Sequence, residues 1–339
     1  MYPASFDYLV PATLEEALET LGRYEDDAKV LAGGQSLIPL MKLRLAAPRA
    51  LVDINRLPGL DTLAEENGGL RIGALVRHKT CERSELLDGR WGTLGAAAPL
   101  ISDPIIRNLG TVCGSLAHAD PQGDWGSALL AMDAEVVTRG PDGTRTIPVA
   151  ELFEGPFMTT LAPTEIITEV RVPDPGPLAG GTYLKLERKV GDFATVGVAV
   201  HLSMADGRVE RAGIALTAVG PTNLRATAAE EALTGSELTD GAIREAARLA
   251  AEAAQPYSDT RGSADYKRTV VRVFTERGLR AAAEAVGAPV PPAGQGEPVT
   301  TEEALEATER HDYFSGQGTV GGVMDELRDK PGGPDGGER

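Results

Sequence analysis

Two glycine-centred segments carry the residue types that could hold a phosphate-rich ligand. In Leu31-Ala32-Gly33-Gly34-Gln35-Ser36-Leu37 an apolar run stops, two glycines turn the chain, and a stretch of helical character begins. Successive backbone N–H groups in such a turn form a concave nest for anions, and a helix start adds partial positive charge. A Cβ there would hold a pyrophosphate off the backbone and disfavour positive φ. Gln35 and Ser36 add side-chain donors. An ordinary turn between strand and helix is the competing reading of this segment. The second stretch, Asn108 to Asp124, is rich in small residues and hydroxyls, and reads as too irregular for helix or strand. Thr111, Ser115 and the backbone amides of Cys113–Ser115 could donate to phosphate, while Asp120 or Asp124 could accept from polyol hydroxyls or a ring N–H. Set opposite the first segment, it would clamp a pyrophosphate from two sides.

The positioning elements can be read from capping and periodicity. Thr13-Leu14-Glu15-Glu16 is a capping box, followed by Leu14, Ala17, Leu18 and Leu21 at helical spacing. With Lys29–Ala32, Leu37–Leu45 and Ala50–Ile54, the first 55 residues read as helix, strand, glycine turn, helix, strand. Leu70–Leu75 is a further strand, and two helical stretches (79–87 and 92–101) lead into the second glycine segment. Ala134–Thr138 and Thr144–Ile147 flank Gly140-Pro141-Asp142-Gly143 as a hairpin, and Glu165–Val172 is another strand. Pro173-Asp174-Pro175-Gly176-Pro177 marks a domain boundary. Beyond it, strand-like runs at Tyr183–Lys189, Thr195–Met204 and Val209–Val219 predict a three-stranded antiparallel sheet. Helices are expected at Ala226–Leu233, Gly241–Ala254 and Asp265–Val286. The expected organisation is 1–175 (subdomains of about 1–55 and 56–175), 178–287, and a tail at 288–339.

Composition narrows the classes. In 339 residues, 33 Lys and Arg stand against 50 Asp and Glu, a net charge of −17 that repels nucleic-acid backbones and anionic membrane surfaces. Two cysteines, Cys81 and Cys113, exclude a disulfide-stapled scaffold. None of the four histidines has zinc-pair spacing. No basic n-region or long apolar run is present, so a soluble, cytoplasmic protein is expected. Residues 289–339 hold ten Gly and six Pro, with four basic against eleven acidic groups, and read as a largely disordered tail. The formal GxGxxG at Gly316–Gly321 follows no strand and is set aside.

Ala32–Leu37 together with Thr111–Pro121 and Asp124 resembles the FAD-binding medium subunit of the molybdenum hydroxylases, the family of aerobic carbon monoxide dehydrogenase and xanthine dehydrogenase-like enzymes. The resemblance covers residues 1 to about 287. It implies an α+β, vanillyl-alcohol-oxidase-type FAD-binding domain of two α+β subdomains, then a flavoprotein C-terminal domain. Ala32, Gly33, Gly34, Gln35, Ser36 and Leu37 would wrap the FAD pyrophosphate. Thr111, Cys113, Gly114, Ser115, His118, Asp120 and Asp124 would supply further phosphate and ribityl contacts. Cys113 stands where many relatives carry glycine, which would strain any position needing positive φ. A small buried hydrophobe is the expected role of its thiol.

In Tyr183–Ala194, Lys185, Glu187 and Lys189 alternate with Leu184, Leu186 and Arg188, which a solvated strand face would also explain. The segment is similar to the one that reaches the isoalloxazine in this family. A cation there stabilises negative charge on reduced flavin. Lys185 is the preferred cation, Arg188 the second, and Tyr183 a stacking or gating aromatic. The resemblance further implies a small [2Fe–2S] subunit, a large molybdopterin subunit and a dimer of such heterotrimers, with this chain passing electrons through FAD to a terminal acceptor. A self-contained flavin oxidase or reductase, and a non-redox nucleotide-binding protein, are the alternatives.

Overall fold

The computed structural model describes residues 2–289. The expected tail and the GxGxxG at 316–321 lie outside the described residues. The first layer holds β1 (Asp7–Leu9), α1 (Leu14–Tyr24), β2 (Ala28–Leu31), α2 (Leu37–Lys42) and β3 (Ala50–Asp53). Thr13 caps α1 by accepting from Glu16 N, and the Glu16 carboxylate reaches back to Ala12 N at 2.8 Å. The three strands form a parallel sheet with β3 in the centre, and all four β3 residues are buried. That explains why Ala50–Asp53 reads as an unbroken apolar run closed by one aspartate.

A second sheet follows, built from β4 (Leu63–Glu66) and β5 (Gly69–Gly73). Five helices come next, α3 (His78–Glu82), α4 (Gly92–Ala97), α5 (Pro104–Leu109), α6 (Val112–His118) and α7 (Asp124–Leu130). The chain then returns as β6 (Glu135–Gly140), β7 (Gly143–Pro148), α8 (Val149–Leu152), the short pair β8 (Phe153–Gly155) and β9 (Met158–Thr159), and β10 (Ile166–Val172). The antiparallel order is β4-β5-β10-β6-β7. Ile72, Val136 and Val170 point inward, fully buried, with Val112, Leu116 and Trp125 of α6 and α7 in the same core.

The last sheet runs β11 (Ala179–Leu186), β12 (Val196–Ala205), β13 (Arg208–Thr217), β14 (Leu224–Arg225). The expected three strands are therefore four. β14 is a two-residue edge held by Ala215 and Leu216, too short to leave an alternating pattern. β11 also lies earlier than expected, ending at Leu186, so Glu187 to Lys189 belong to a loop. Helices α9 (Thr227–Leu233), α10 (Asp240–Ala253) and α11 (Ala264–Ala285) complete the α+β layer. Ile243, Ala246, Ala250, Val271 and Leu279 pack with Val198 and Val200 of β12 in a second core.

Candidate cofactor site

The first glycine segment is a turn with its first three carbonyls, at Ala32, Gly33 and Gly34, tied off and its N–H groups left over. Ala32 O accepts from Asn55 Nδ2 at 2.8 Å, Gly33 O from Gln35 Nε2 at 2.9 Å and Gly34 O from Ile38 N at 3.0 Å. The N–H groups of Gly34, Gln35, Ser36 and Leu37 have no partner among the described residues. Gly34 has φ +69°, which favours glycine, and Ser36 opens α2 with no side-chain cap. Side chains and helix thus neutralise the acceptors, and four consecutive donors remain for an anion.

The second segment is not irregular, as its composition suggested. Thr111 caps α6, its Oγ accepting from Gly114 N at 3.1 Å, and Val112, Cys113 and Leu116 bury one helical face. Its composition misleads because Gly, Ser and Thr are weak helix formers, while cap and burial supply what propensity lacks. The Thr111 hydroxyl hydrogen and the Ser115 hydroxyl stay available as donors. Cys113 lies inside the helix, so the anticipated positive φ does not arise. Its thiol is 3 % exposed, 3.9 Å from Ile72 O, and burial pushes its pKa up. α6 ends on Ala119 in the left-handed region, φ +52°. His118 is half-buried, its ring 5.1 Å from that of Phe157, and burial lowers its pKa against the pull of Asp120. Asp120 closes a turn, Oδ1 accepting from Gln122 N at 2.9 Å and its carbonyl from Gly123 N at 2.8 Å.

The two segments abut. A Cβ on Gly33 would stand 2.4 Å from Leu109 O and 2.7 Å from Gly110 Cα, so only glycine permits the approach. Residues that the sequence did not single out hold this junction. Arg77 donates to Leu109 O and, at 2.6 Å, to Asn55 Oδ1; Asn55 in turn holds Ala32 O and Asp53, which accepts from Tyr8. His78 N donates to Gly110 O at 3.0 Å, and its Nδ1 accepts from Trp125 Nε1 at 2.9 Å. Burial, with Arg107 and Arg77 nearby, lowers the His78 pKa to about 4, so the ring is neutral near pH 7. One arginine after a strand and one asparagine after another carry no motif, so no sequence signal marks them.

The third region forms a closed cluster. Lys185 Nζ, on a side chain 1 % exposed, donates to Leu100 O at 2.8 Å and Asp124 Oδ2 at 2.9 Å, with Glu187 Oε2 at 3.5 Å. Tyr183 OH donates to Asp124 Oδ1 at 2.7 Å and approaches Thr217 Oγ1 at 3.0 Å. Burial pushes the Asp124 carboxyl up against the pull of Lys185, and burial with Asp124 raises the Tyr183 hydroxyl. The structure brings Asp124, Tyr183 and Lys185 together, but Arg188 stands apart, exposed and paired with Asp192 at 3.0 Å. Asp124 meets this cluster through both carboxylate oxygens, and Tyr183 is 2 % exposed. The Lys185 ammonium donates two hydrogen bonds to protein oxygens, and the buried Glu187 Oε2 beside it has no hydrogen-bond partner among the described residues.

The donor set of the first two segments fits a diphosphate. Among the described residues no cluster of His, Cys, Asp and Glu could hold a metal ion, and no helix is long and apolar enough to cross a membrane. Residues 4–175 match the family model described as the FAD binding domain in molybdopterin dehydrogenase, and 181–282 that of the CO dehydrogenase flavoprotein C-terminal domain. The chain is 41 % identical over 282 residues to the carbon monoxide dehydrogenase medium chain of Hydrogenophaga pseudoflava, covering 83 % of this chain and 98 % of that one. It is 40 % identical to the 6-hydroxypseudooxynicotine dehydrogenase complex subunit alpha of Paenarthrobacter nicotinovorans, covering 82 % and 95 %. A solved structure of carbon monoxide dehydrogenase from Hydrogenophaga pseudoflava superposes with TM-score 0.81 at 43 % identity, covering 84 % of this chain and 99 % of the other. With the motifs, both domains and the relatives in agreement, the chain belongs to the FAD-binding medium subunits of the molybdenum hydroxylases, oxidoreductase subunits whose cofactor is FAD.

Proposed function

We propose that this chain binds FAD noncovalently between its two glycine segments and passes electrons from [2Fe–2S] clusters of a small partner subunit to a terminal acceptor. Substrate is oxidised on a large molybdopterin subunit, and the assembly is a dimer of such heterotrimers. One observation carries the reading: four consecutive N–H groups at Gly34–Leu37 without partners, set against the hydroxyl-bearing start of α6. In this reading the turn takes the diphosphate and Thr111 and Ser115 donate to it. Asp120 takes a ribityl hydroxyl or ring N–H, while Gln35, Asn55 and Arg77 keep the turn's carbonyls from facing the ligand's charge. Bound FAD supplies the exchange between one-electron and two-electron carriers. Two buried cysteines cannot ligate a cluster, which needs four thiolates, so clusters must come from another chain.

Purification of the full chain with its native partners, followed by flavin, iron and molybdenum analysis, tests this. A yellow chain that turns over substrate only with iron- and molybdenum-bearing partners is the expected result. A yellow chain active alone would make it a self-contained oxidase, and a chain that holds no flavin would remove the redox role.

A further inference from the structure

The loop between α6 and α7 is held from outside its own sheet. Pro121 O accepts from Ala218 N at 2.9 Å, and Gly123 O from Asn223 Nδ2 at 3.1 Å. Both donors lie in the turn between β13 and β14. The next residue, Asp124, is gripped by Tyr183 and Lys185 of β11 at 2.7 and 2.9 Å. Four bonds from the C-terminal sheet therefore converge on the four residues Pro121–Asp124. Ala218 holds φ +66°, a conformation costly for alanine, at the position whose N–H reaches Pro121 O. Asn223 is 8 % exposed, and it fills a slot over Gly126, where a Cβ would stand 2.0 Å from its Oδ1. Inside this frame Asp120 Oδ1 and its carbonyl are engaged by Gln122 and Gly123, while Oδ2 has no hydrogen-bond partner among the described residues. One free acceptor on a loop held through Pro121, Gly123 and Asp124 is pre-organised for a ligand donor, which lowers the ordering cost of binding.

We propose that Asn223 is a positioning residue for the cofactor. The C-terminal sheet holds the Asp120 loop in its ligand-accepting geometry before FAD arrives, and so sets FAD affinity through the loop. The proposal rests on the FAD reading above and gives the C-terminal domain a part in cofactor retention.

The test uses the full chain stripped of flavin and titrated with FAD, as wild type, Asn223→Leu and Tyr183→Phe. Asn223→Leu keeps the side chain's shape and removes its donor without adding charge. The expected result is a dissociation constant raised about tenfold in Asn223→Leu, with thermal unfolding of the stripped form close to wild type. Tyr183→Phe should weaken binding in the same direction. Amide exchange of stripped wild type should show Gln122 and Gly123 protected before any FAD is added. Wild-type affinity in both variants would overturn the proposal alone, as would unprotected Gln122 and Gly123 amides in the wild type, a result independent of how the variants fold. Absence of FAD binding by wild type would overturn the FAD reading and the proposal with it.

Discussion

The turn at Gly34–Leu37 and the cluster around Asp124 are both polar and glycine-adjacent, yet their hydrogen-bond accounts are opposite. At the turn, four donors are left without protein acceptors while the Ala32, Gly33 and Gly34 carbonyls are engaged. At the cluster, the Lys185 ammonium, both Asp124 oxygens and the Tyr183 hydroxyl all find protein partners, with side chains almost wholly buried. Water serves the half-exposed turn until a ligand displaces it, whereas a deficit at the cluster would be a buried charge with no partner. Polarity alone does not mark a ligand site. Unspent groups do: the turn keeps four donors, whereas the cluster keeps one acceptor, the buried Glu187 Oε2.

Disrupting the cluster should cost most. Lys185→Met leaves Asp124 buried and unpaired, and urea unfolding should register a loss of about 3–5 kcal/mol. Lys185→Met combined with Asp124→Leu should recover most of that, because a volume-matched apolar pair has no charge to desolvate; an equally unstable double variant would show the pair is not what Lys185 serves. Gly33→Ala attacks the turn instead. Its Cβ would meet Leu109 O at 2.4 Å, prising the segments apart, and FAD affinity in an equilibrium titration should fall about a hundredfold. Retention of wild-type affinity there would place the diphosphate elsewhere.

Acid should reach the junction through His78. Its folded-state pKa, about 4, lies below the ordinary 6.5, so the unfolded chain takes the proton first as pH falls. The associated stability is intact above pH 6.5 and drains away on acidification towards about 4, on the order of 2–3 kcal/mol. His201, lowered by burial to about 3, acts in the same sense. His78→Asn keeps an acceptor for Trp125 and should flatten the slope of unfolding free energy between pH 6.5 and 4.5. The smallest effect belongs to Cys113→Ala: burial keeps the thiol protonated, so flavin content should not change and stability should drop by about 1 kcal/mol. A large loss of flavin would give Cys113 a role that its helix position does not.

Local chemistry was legible wherever one segment's own residues decide the outcome. The Thr13–Glu16 cap, the glycine turn after β2 and the hairpin at β6 and β7 depend on neighbours in sequence, and each forms as read. The α6 helix was not legible, since its propensity is poor and its stability comes from a cap plus three side chains buried against β5 and β10. The two-residue β14 likewise exists only because β13 lies beside it. Arg77, Asn55 and Asn223 are ordinary residues in sequence that become struts through contacts 22 to 100 positions away. Lys185 was visible as a basic residue in an alternating run, and its alternation could not say what the strand would face.

By itself, the sequence determined the two glycine turns, their order and the hydroxyls beside them, because backbone freedom and donor type are properties of individual residues. Only the tertiary structure decided which donors stay unspent, since a hydrogen bond is consumed or left free by whatever the fold brings within about 3 Å. Gly33 lies against Leu109 and Asp124 against Lys185, and neither contact can be read from either segment alone.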